Sequence, residues 1–183
     1  MINKEDMRIS KFMSLVLRHK PEEIGLKFDE YGYLSTAALI NGMNQKGYKL
    51  TITDIRRIVI EDDKQRYSFN DDETKIKANQ GHSVEVNLKL ETVKPPNELY
   101  HGTSTRFSDS ICKHGIMKQN RQYVHLSADL DTANKVGKRH GEPIIFEINS
   151  QQMYKEGYKF YLSENKVWLT DYVPTRFFKV MEK

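Results

Sequence analysis

The chain has 183 residues, of which 38% are hydrophobic and 30% charged, with a single cysteine, Cys112. That balance is ordinary for a globular protein of one large or two small domains. It excludes an internal disulfide and a multi-cysteine zinc site, and no stretch approaches the roughly 18 apolar residues of a membrane-spanning helix. Lysine and arginine outnumber aspartate and glutamate by 29 to 25, a formal charge of +4, which permits a nucleic-acid partner without requiring one.

The first residues lead into an amphipathic, charged segment and not an apolar run, so no secretory signal is expected and a cytoplasmic protein is. Within residues 6–18, Ile9, Phe12, Met13 and Val16 recur at i, i+3, i+4 and i+7. The spacing predicts a helix that buries this stripe, carries Arg18 and His19 at its C-terminal end and stops at Pro21. Residues 26–28 and 33–34 flank Asp29-Glu30-Tyr31-Gly32, which predicts a short hairpin. Ser35 or Thr36 is placed to cap a helix running to about Gln45, and Thr53 to cap another through Ile55, Ile58 and Val59. Residues 64–69 and 75–78 enclose Asn70-Asp71-Asp72 as a second hairpin. Three helices with a closing hairpin describe a winged-helix-like lobe, assigned to residues 1–92.

Pro95 and Pro96 mark the expected boundary. From 97 to 183 short apolar strands are predicted at 99–101, 123–126, 143–148, 159–162, 167–169 and 177–180. Helices are predicted at 107–114 and 129–138, with a brief turn near 151–153. Many strands and few helices argue for an α+β domain around a mixed or antiparallel sheet. Cys112, between Ile111 and Lys113, reads as a buried small hydrophobe and not as a nucleophile.

Two stretches carry most of the chemical information, Tyr100-His101-Gly102-Thr103-Ser104 and Tyr123-Val124-His125-Leu126-Ser127. Each reads as a strand ending on a small, hydrogen-bonding turn. Gly102 would let the main chain approach a nucleotide, the hydroxyls of Thr103 and Ser104 meet ribose or phosphate oxygens, and His101 holds a ribose hydroxyl. Taken alone, the first stretch is more often a helix start capped by Ser104, and His125 more often a satisfied structural histidine. No Rossmann or Walker loop is present, so a dinucleotide would bind by another route. Among the cations, Arg18, His19 and Lys20 are favoured at a helix C-terminus by the macrodipole alone, and at least one of Arg56 and Arg57 should be solvated. Arg66 in a hairpin strand and Arg121 in a loop have no such local reason. Three arginines and a histidine match a phosphate dianion better than lysines would.

Six segments occur in order: Ser10-Lys11-Phe12-Met13-Ser14-Leu15-Val16-Leu17-Arg18-His19-Lys20-Pro21, Lys64-Gln65-Arg66-Tyr67, Asn79-Gln80-Gly81-His82-Ser83, Leu99-Tyr100-His101-Gly102-Thr103-Ser104, Arg121-Gln122-Tyr123-Val124-His125-Leu126-Ser127 and Asn165-Lys166-Val167-Trp168-Leu169-Thr170. Together they resemble the NAD-dependent RNA 2′-phosphotransferases over nearly the whole chain. The resemblance implies a winged-helix-like N-terminal lobe joined to an ADP-ribosyltransferase-like lobe, residues 97–183, with the active site between them. It implies NAD as co-substrate and 2′-phosphorylated RNA as substrate, whether spliced tRNA or another RNA under repair; the reaction requires no metal, and a monomer is the default expectation. By motif match Arg18, His19, Arg66 and Arg121 are the tetrad around the 2′-phosphate. His101, Gly102, Thr103 and Ser104 match the NAD-binding turn, and His125 and Ser127 the second strand of that pocket. Val167 falls where many protein ADP-ribosyltransferases carry a catalytic glutamate, a position that is apolar in this family; Glu164 nearby is not assigned the role. Lys77 stands where the family often has arginine, which weakens any bidentate RNA contact there. The rival expectations are a mono-ADP-ribosyltransferase acting on terminal phosphates or protein, and a non-enzymatic nucleic-acid-binding module. The second would leave the His-Gly-Thr and Val-His-Leu-Ser stretches idle.

Overall fold

The structure, a computed structural model, describes residues 4–181, and the chain divides into two compact units, Met1–Lys89 and Leu90–Lys183. In the first unit, α1 (Lys4–Arg18) has Glu5 and Asp6 in its first turn and Arg18 in its last, each charge complementing the helix dipole. Pro21 does more than stop it. A 3₁₀ turn, Pro21–Ile24, begins at this proline and closes on Gly25 at φ 70°, because a first helical position needs no N–H.

The turn expected at residues 29–32 closes, with Gly32 N–H on Asp29 O and Asp29 N–H on Tyr33 O, both at 3.0 Å, but no strand forms at residues 26–28. Strand β1 (Tyr33–Ser35) has no partner in residues 26–28. Instead, Asp29 Oδ1 accepts the N–H groups of Tyr31 at 3.0 Å and Tyr33 at 2.9 Å, so a side chain does the work of a strand partner. Helix α2 (Thr36–Gln45) is capped by Ser35, whose Oγ accepts Ala38 N–H. Helix α3 (Ile52–Ile60) is capped by Thr51 and not Thr53, since Asp54 lies three residues beyond Thr51 and closes a reciprocal capping box with it. Strands β2 (Tyr67–Phe69) and β3 (Lys75–Ala78) complete an antiparallel sheet in the order β1-β3-β2. Ile76 lies opposite both Leu34 and Phe69, and it joins Met13, Leu17, Leu39, Met43, Ile55 and Ile58 in the core. Burying a side chain of this size contributes roughly 1.5–3 kcal/mol. Arg56 is exposed, as expected of one of the pair, and meets Glu73 at the surface at 2.5 Å, while Arg57 grips the buried Asp6 carboxylate through two 2.6 Å bonds.

The second unit contains β4 (Leu99–Ser104), α4 (Ser108–His114), β5 (Ile116–Met117), β6 (Val124–Leu126), α5 (Leu130–Gly137), β7 (Pro143–Ile148), α6 (Ser150–Lys155), β8 (Phe160–Leu162), β9 (Trp168–Thr170), β10 (Tyr172–Val173) and β11 (Phe178–Val180). All pairings are antiparallel, in the orders β11-β7-β4, β6-β9-β8 and β10-β5. Two-residue strands such as β5 and β10 leave no periodicity to read. Leu99, Phe146, Ile148, Met153 and Phe160 centre the core. Cys112 is exposed, contrary to expectation, because the short helix α4 buries no residue fully. The molecule is therefore α+β, built on small antiparallel sheets. Among the described residues no helix is long and apolar enough to cross a membrane.

Candidate phosphate and nucleotide sites

In the first unit the last turn of α1 presents Arg18, and His19 follows at once. The negative end of a helix dipole repels an anion, so any phosphate bound here must be held by side chains. A loop from β3 meets this end. Ser83 N–H donates to Arg18 O at 3.0 Å, and Ser83 Oγ lies 3.0 Å from His19 Nδ1. Gly81, at φ 90°, turns the chain so that a side chain there would stand 3.6 Å from Arg18 Cδ. Between them His82 is only 1% exposed and packs edge-on against Phe28, and neither ring nitrogen finds a hydrogen-bond partner among the described residues. Burial, together with the positive charges of Arg18, His19 and Lys77, pushes its pKa down to about 4, so the ring is neutral at pH 7.

Arg66 precedes β2. Its guanidinium pairs with the buried carboxylate of Asp62, whose other oxygen accepts Arg66 N–H at 2.6 Å, so the side chain is aimed from below. It also lines a groove of about 520 Å³ with Ser10, Lys11, Ser14 and Lys64. Asn79 ties this region to the loop of Ser83: its N–H donates to Arg66 O at 2.9 Å and its Nδ2 to Gln65 O at 2.7 Å. Residues 79 and 83 are four links apart, a span of at most about 14 Å, so one segment fastens both Arg66 and the Arg18-His19 pair. Lys77 is buried, with Nζ 4.9 Å from the centre of the Tyr33 ring.

In the second unit the two signature stretches meet through backbone. Tyr100 N–H donates to Ser127 O at 2.9 Å and Ser127 N–H to Tyr100 O at 2.8 Å, which sets His101 beside His125. His101 Nδ1 lies 3.1 Å from His125 O. A carbonyl only accepts, so the proton sits on Nδ1 and Nε2 is an acceptor. Burial lowers the pKa of this ring, which keeps it neutral. Arg121 donates to His125 Nδ1 at 3.3 Å, placing the His125 proton on Nε2. Burial and the like charge of Arg139 lower the Arg121 pKa. Arg139, in the 3₁₀ turn that follows α5, thus enters the same field, and no motif singles it out because a cation just past a helix end is ordinary. Val167 lies one step beyond the Leu126–Trp168 pair, on the side of Ser127. Its N–H is held by Ser163 Oγ at 3.0 Å. Glu164 is exposed.

Gly102, Thr103 and Ser104 lie within β4 and not on a turn after it, and Ser104 caps nothing with its side chain. The bare face of Gly102 is filled by α5: a Cβ there would fall 1.7 Å from Ala133 O. The same track continues, with Gly137 against Thr103 O and Gly141 against Ser104 Oγ. Thr103 and Ser104 are both buried. Among the described residues no group of three or more histidine, cysteine, aspartate or glutamate side chains is placed to hold a metal ion.

The chain is thus an α+β protein with a cationic cluster in one unit and, in the other, histidines held in defined tautomers beside an arginine, groups suited to phosphate and to ribose. The model of the RNA 2′-phosphotransferase, Tpt1 / KptA family matches residues 4–172. The chain is 55% identical over 175 residues to the "Probable RNA 2′-phosphotransferase" of Fusobacterium nucleatum, covering 95% of this chain and 98% of that protein. It is 52% identical over 169 residues to the protein so named from Flavobacterium johnsoniae, covering 92% and 93%, and 47% identical over 173 residues to that from Hahella chejuensis, covering 94% and 93%. The chain belongs to the RNA 2′-phosphotransferase family and is an enzyme of that family.

Proposed function

We propose that the protein removes an internal RNA 2′-phosphate by transferring it to NAD in two steps, giving 2′-hydroxyl RNA, ADP-ribose 1″,2″-cyclic phosphate and nicotinamide. The family match across residues 4–172 carries this reading, and the site chemistry supports it. The three helices and three-stranded sheet of the first unit support a winged-helix-like RNA lobe, residues 1–92. The split antiparallel sheets of the second support an ADP-ribosyltransferase-like NAD lobe, residues 97–183. The enzyme acts as a cytoplasmic monomer on a spliced tRNA or another 2′-phosphorylated RNA.

Arg18, His19, Arg66 and Arg121 bind the 2′-phosphate. His101, Gly102, Thr103, Ser104, His125, Ser127 and Val167 form the NAD pocket, where His101 Nε2 accepts a hydrogen bond from a ribose hydroxyl. In the first step a phosphate oxygen bonds to the nicotinamide-ribose carbon as the bond to nicotinamide breaks, the electron pair leaving with the ring. A phosphate dianion needs no base for this, which suits an apolar Val167. In the second, the adjacent ribose hydroxyl loses its proton and attacks phosphorus, and the RNA 2′-oxygen departs and gains a proton. The arginines stabilise charge growing on the phosphoryl oxygens, and His19 is the candidate proton donor. The arginine cluster supplies the neutralisation a metal would otherwise provide.

The test mixes the protein with NAD and an oligonucleotide bearing one internal 2′-phosphate. Loss of that phosphate with release of nicotinamide is expected. Labelled ADP-ribose that persists on a terminal phosphate or a side chain, with the 2′-phosphate untouched, would assign the enzyme to mono-ADP-ribosylation instead.

A further inference from the structure

We infer that Ser83 is a positioning residue that holds the imidazole of His19 through Nδ1 and so assigns Nε2 to the 2′-phosphate. The inference rests on the role given to His19 above and adds what aims the ring. Ser83 touches two consecutive site residues by two different groups. Its N–H donates to Arg18 O at 3.0 Å, one of the carbonyls that a helix end leaves without an intrahelical donor. Its Oγ lies 3.0 Å from His19 Nδ1.

Ser83 is solvent-exposed, yet the loop beneath it is not loose. Asn79 anchors one side through Arg66 O and Gln65 O. Gly81 takes a φ of 90° that few other residues adopt. The His82 side chain is sunk into the unit against Phe28, near Gly32 and Val86. A serine that follows residues fixed in this way, and whose own N–H is bonded to Arg18 O, presents its hydroxyl in one place.

The residue type suits a group that changes protonation. A hydroxyl oxygen accepts a hydrogen bond from Nδ1–H of a charged or a neutral ring alike. While His19 is protonated, Ser83 Oγ accepts from Nδ1–H. Once Nε2 has delivered its proton to the departing RNA oxygen, Nδ1 keeps its own and the same contact persists. The ring therefore stays aimed through the transfer. Serine-to-alanine substitution removes the hydroxyl and leaves the backbone bond to Arg18 O in place, so it separates aiming the ring from capping the helix.

The experiment compares Ser83→Ala and Ser83→Thr in the full chain. Single-turnover reactions on the 2′-phosphorylated oligonucleotide should show Ser83→Ala slowing the second step about tenfold, the worth of one hydrogen bond. ADP-ribosylated RNA should then accumulate while its formation and the melting temperature stay as in the wild type. Ser83→Thr should restore the second step. Nitrogen NMR of the His19 ring, recorded without substrate, should show the Nδ1 signal displaced in the alanine variant alone. Wild-type rates for both steps in Ser83→Ala, equal slowing of both steps with a lower melting temperature, or an unmoved Nδ1 signal would each overturn the inference. The failure of the parent reading looks different: the wild-type protein then neither removes the phosphate nor releases nicotinamide, and the NMR comparison still judges Ser83.

Discussion

His19 and Arg66 differ in what stands behind them, and this separates two variants that the motif alone would treat alike. His19 touches Ser83 at the surface, so His19→Ala removes a phosphate contact and little packing. Turnover should fall about a hundredfold, the effect of losing a charge-directed contact worth about 3 kcal/mol, with an unchanged melting temperature. Arg66→Ala should slow turnover as severely and also lower the melting temperature, because the buried Asp62 loses its ion pair. The backbone N–H of Arg66 still reaches that carboxylate at 2.6 Å and softens the loss. Arg66→Lys should keep the fold and only part of the rate, since an ammonium lacks the two-pronged geometry. Steady-state rates on 2′-phosphorylated RNA, with thermal melts beside them, check all three. Wild-type turnover in His19→Ala would remove that residue from the mechanism.

Between elements, the packing of α5 on β4 reinterprets a glycine. Ala133 and Gly137 of α5 lie against Gly102 and Thr103, so small residues let helix backbone rest on strand backbone, and Gly141, beyond the helix, faces the Ser104 side chain. Gly102 reads in the sequence as a point of close approach for a ligand; in the fold the place a side chain would fill is taken by the helix backbone. Gly102→Ala should therefore drive α5 off β4 and cost about 1–3 kcal/mol or more. Denaturant unfolding measures this, and an unaltered midpoint would contradict the packing. The same scale explains the misplaced elements. The expected turn at residues 29–32 closes without a strand at 26–28, held by the Asp29 carboxylate on two N–H groups, and the α3 cap moved to Thr51 because only there does an aspartate stand three residues on. Local polar chemistry decided each boundary, where apolar spacing is silent.

For the molecule as a whole, each unit holds, among the described residues, a histidine whose pKa is lowered by burial: His82 in the first and His101 in the second. His82 falls from 6.5 to about 4. Between those values the unfolded chain binds the proton and the folded chain does not, so stability rises with pH through this window and levels off above 6.5. The loss on going down to pH 4 is about 3 kcal/mol from His82, and His101 adds in the same direction. Denaturant unfolding of the wild type and of His82→Phe at pH 4.5 and 7 tests the point: the pH dependence should be visibly shallower in the variant, and equal slopes would refute it. Because arginines neutralise the phosphate in the proposed reaction, activity should survive a chelator such as EDTA. A rate abolished by EDTA and restored by a divalent cation would give that role to a metal.

The sequence by itself determined the family, the α+β class, the apolar stripe of α1, the β2–β3 hairpin and the residues suited to phosphate and ribose. Each of these is written in residue types at fixed local spacing. Only the tertiary structure decided that Ser83 meets His19, that Asp62 backs Arg66, that His101 donates to the His125 carbonyl and that Gly102 packs against α5. Ser83 and His19 stand 64 positions apart, and His101 and His125 stand 24 apart. Which nitrogen of a ring carries the proton depends on the partner that folding delivers, and no local pattern specifies that partner.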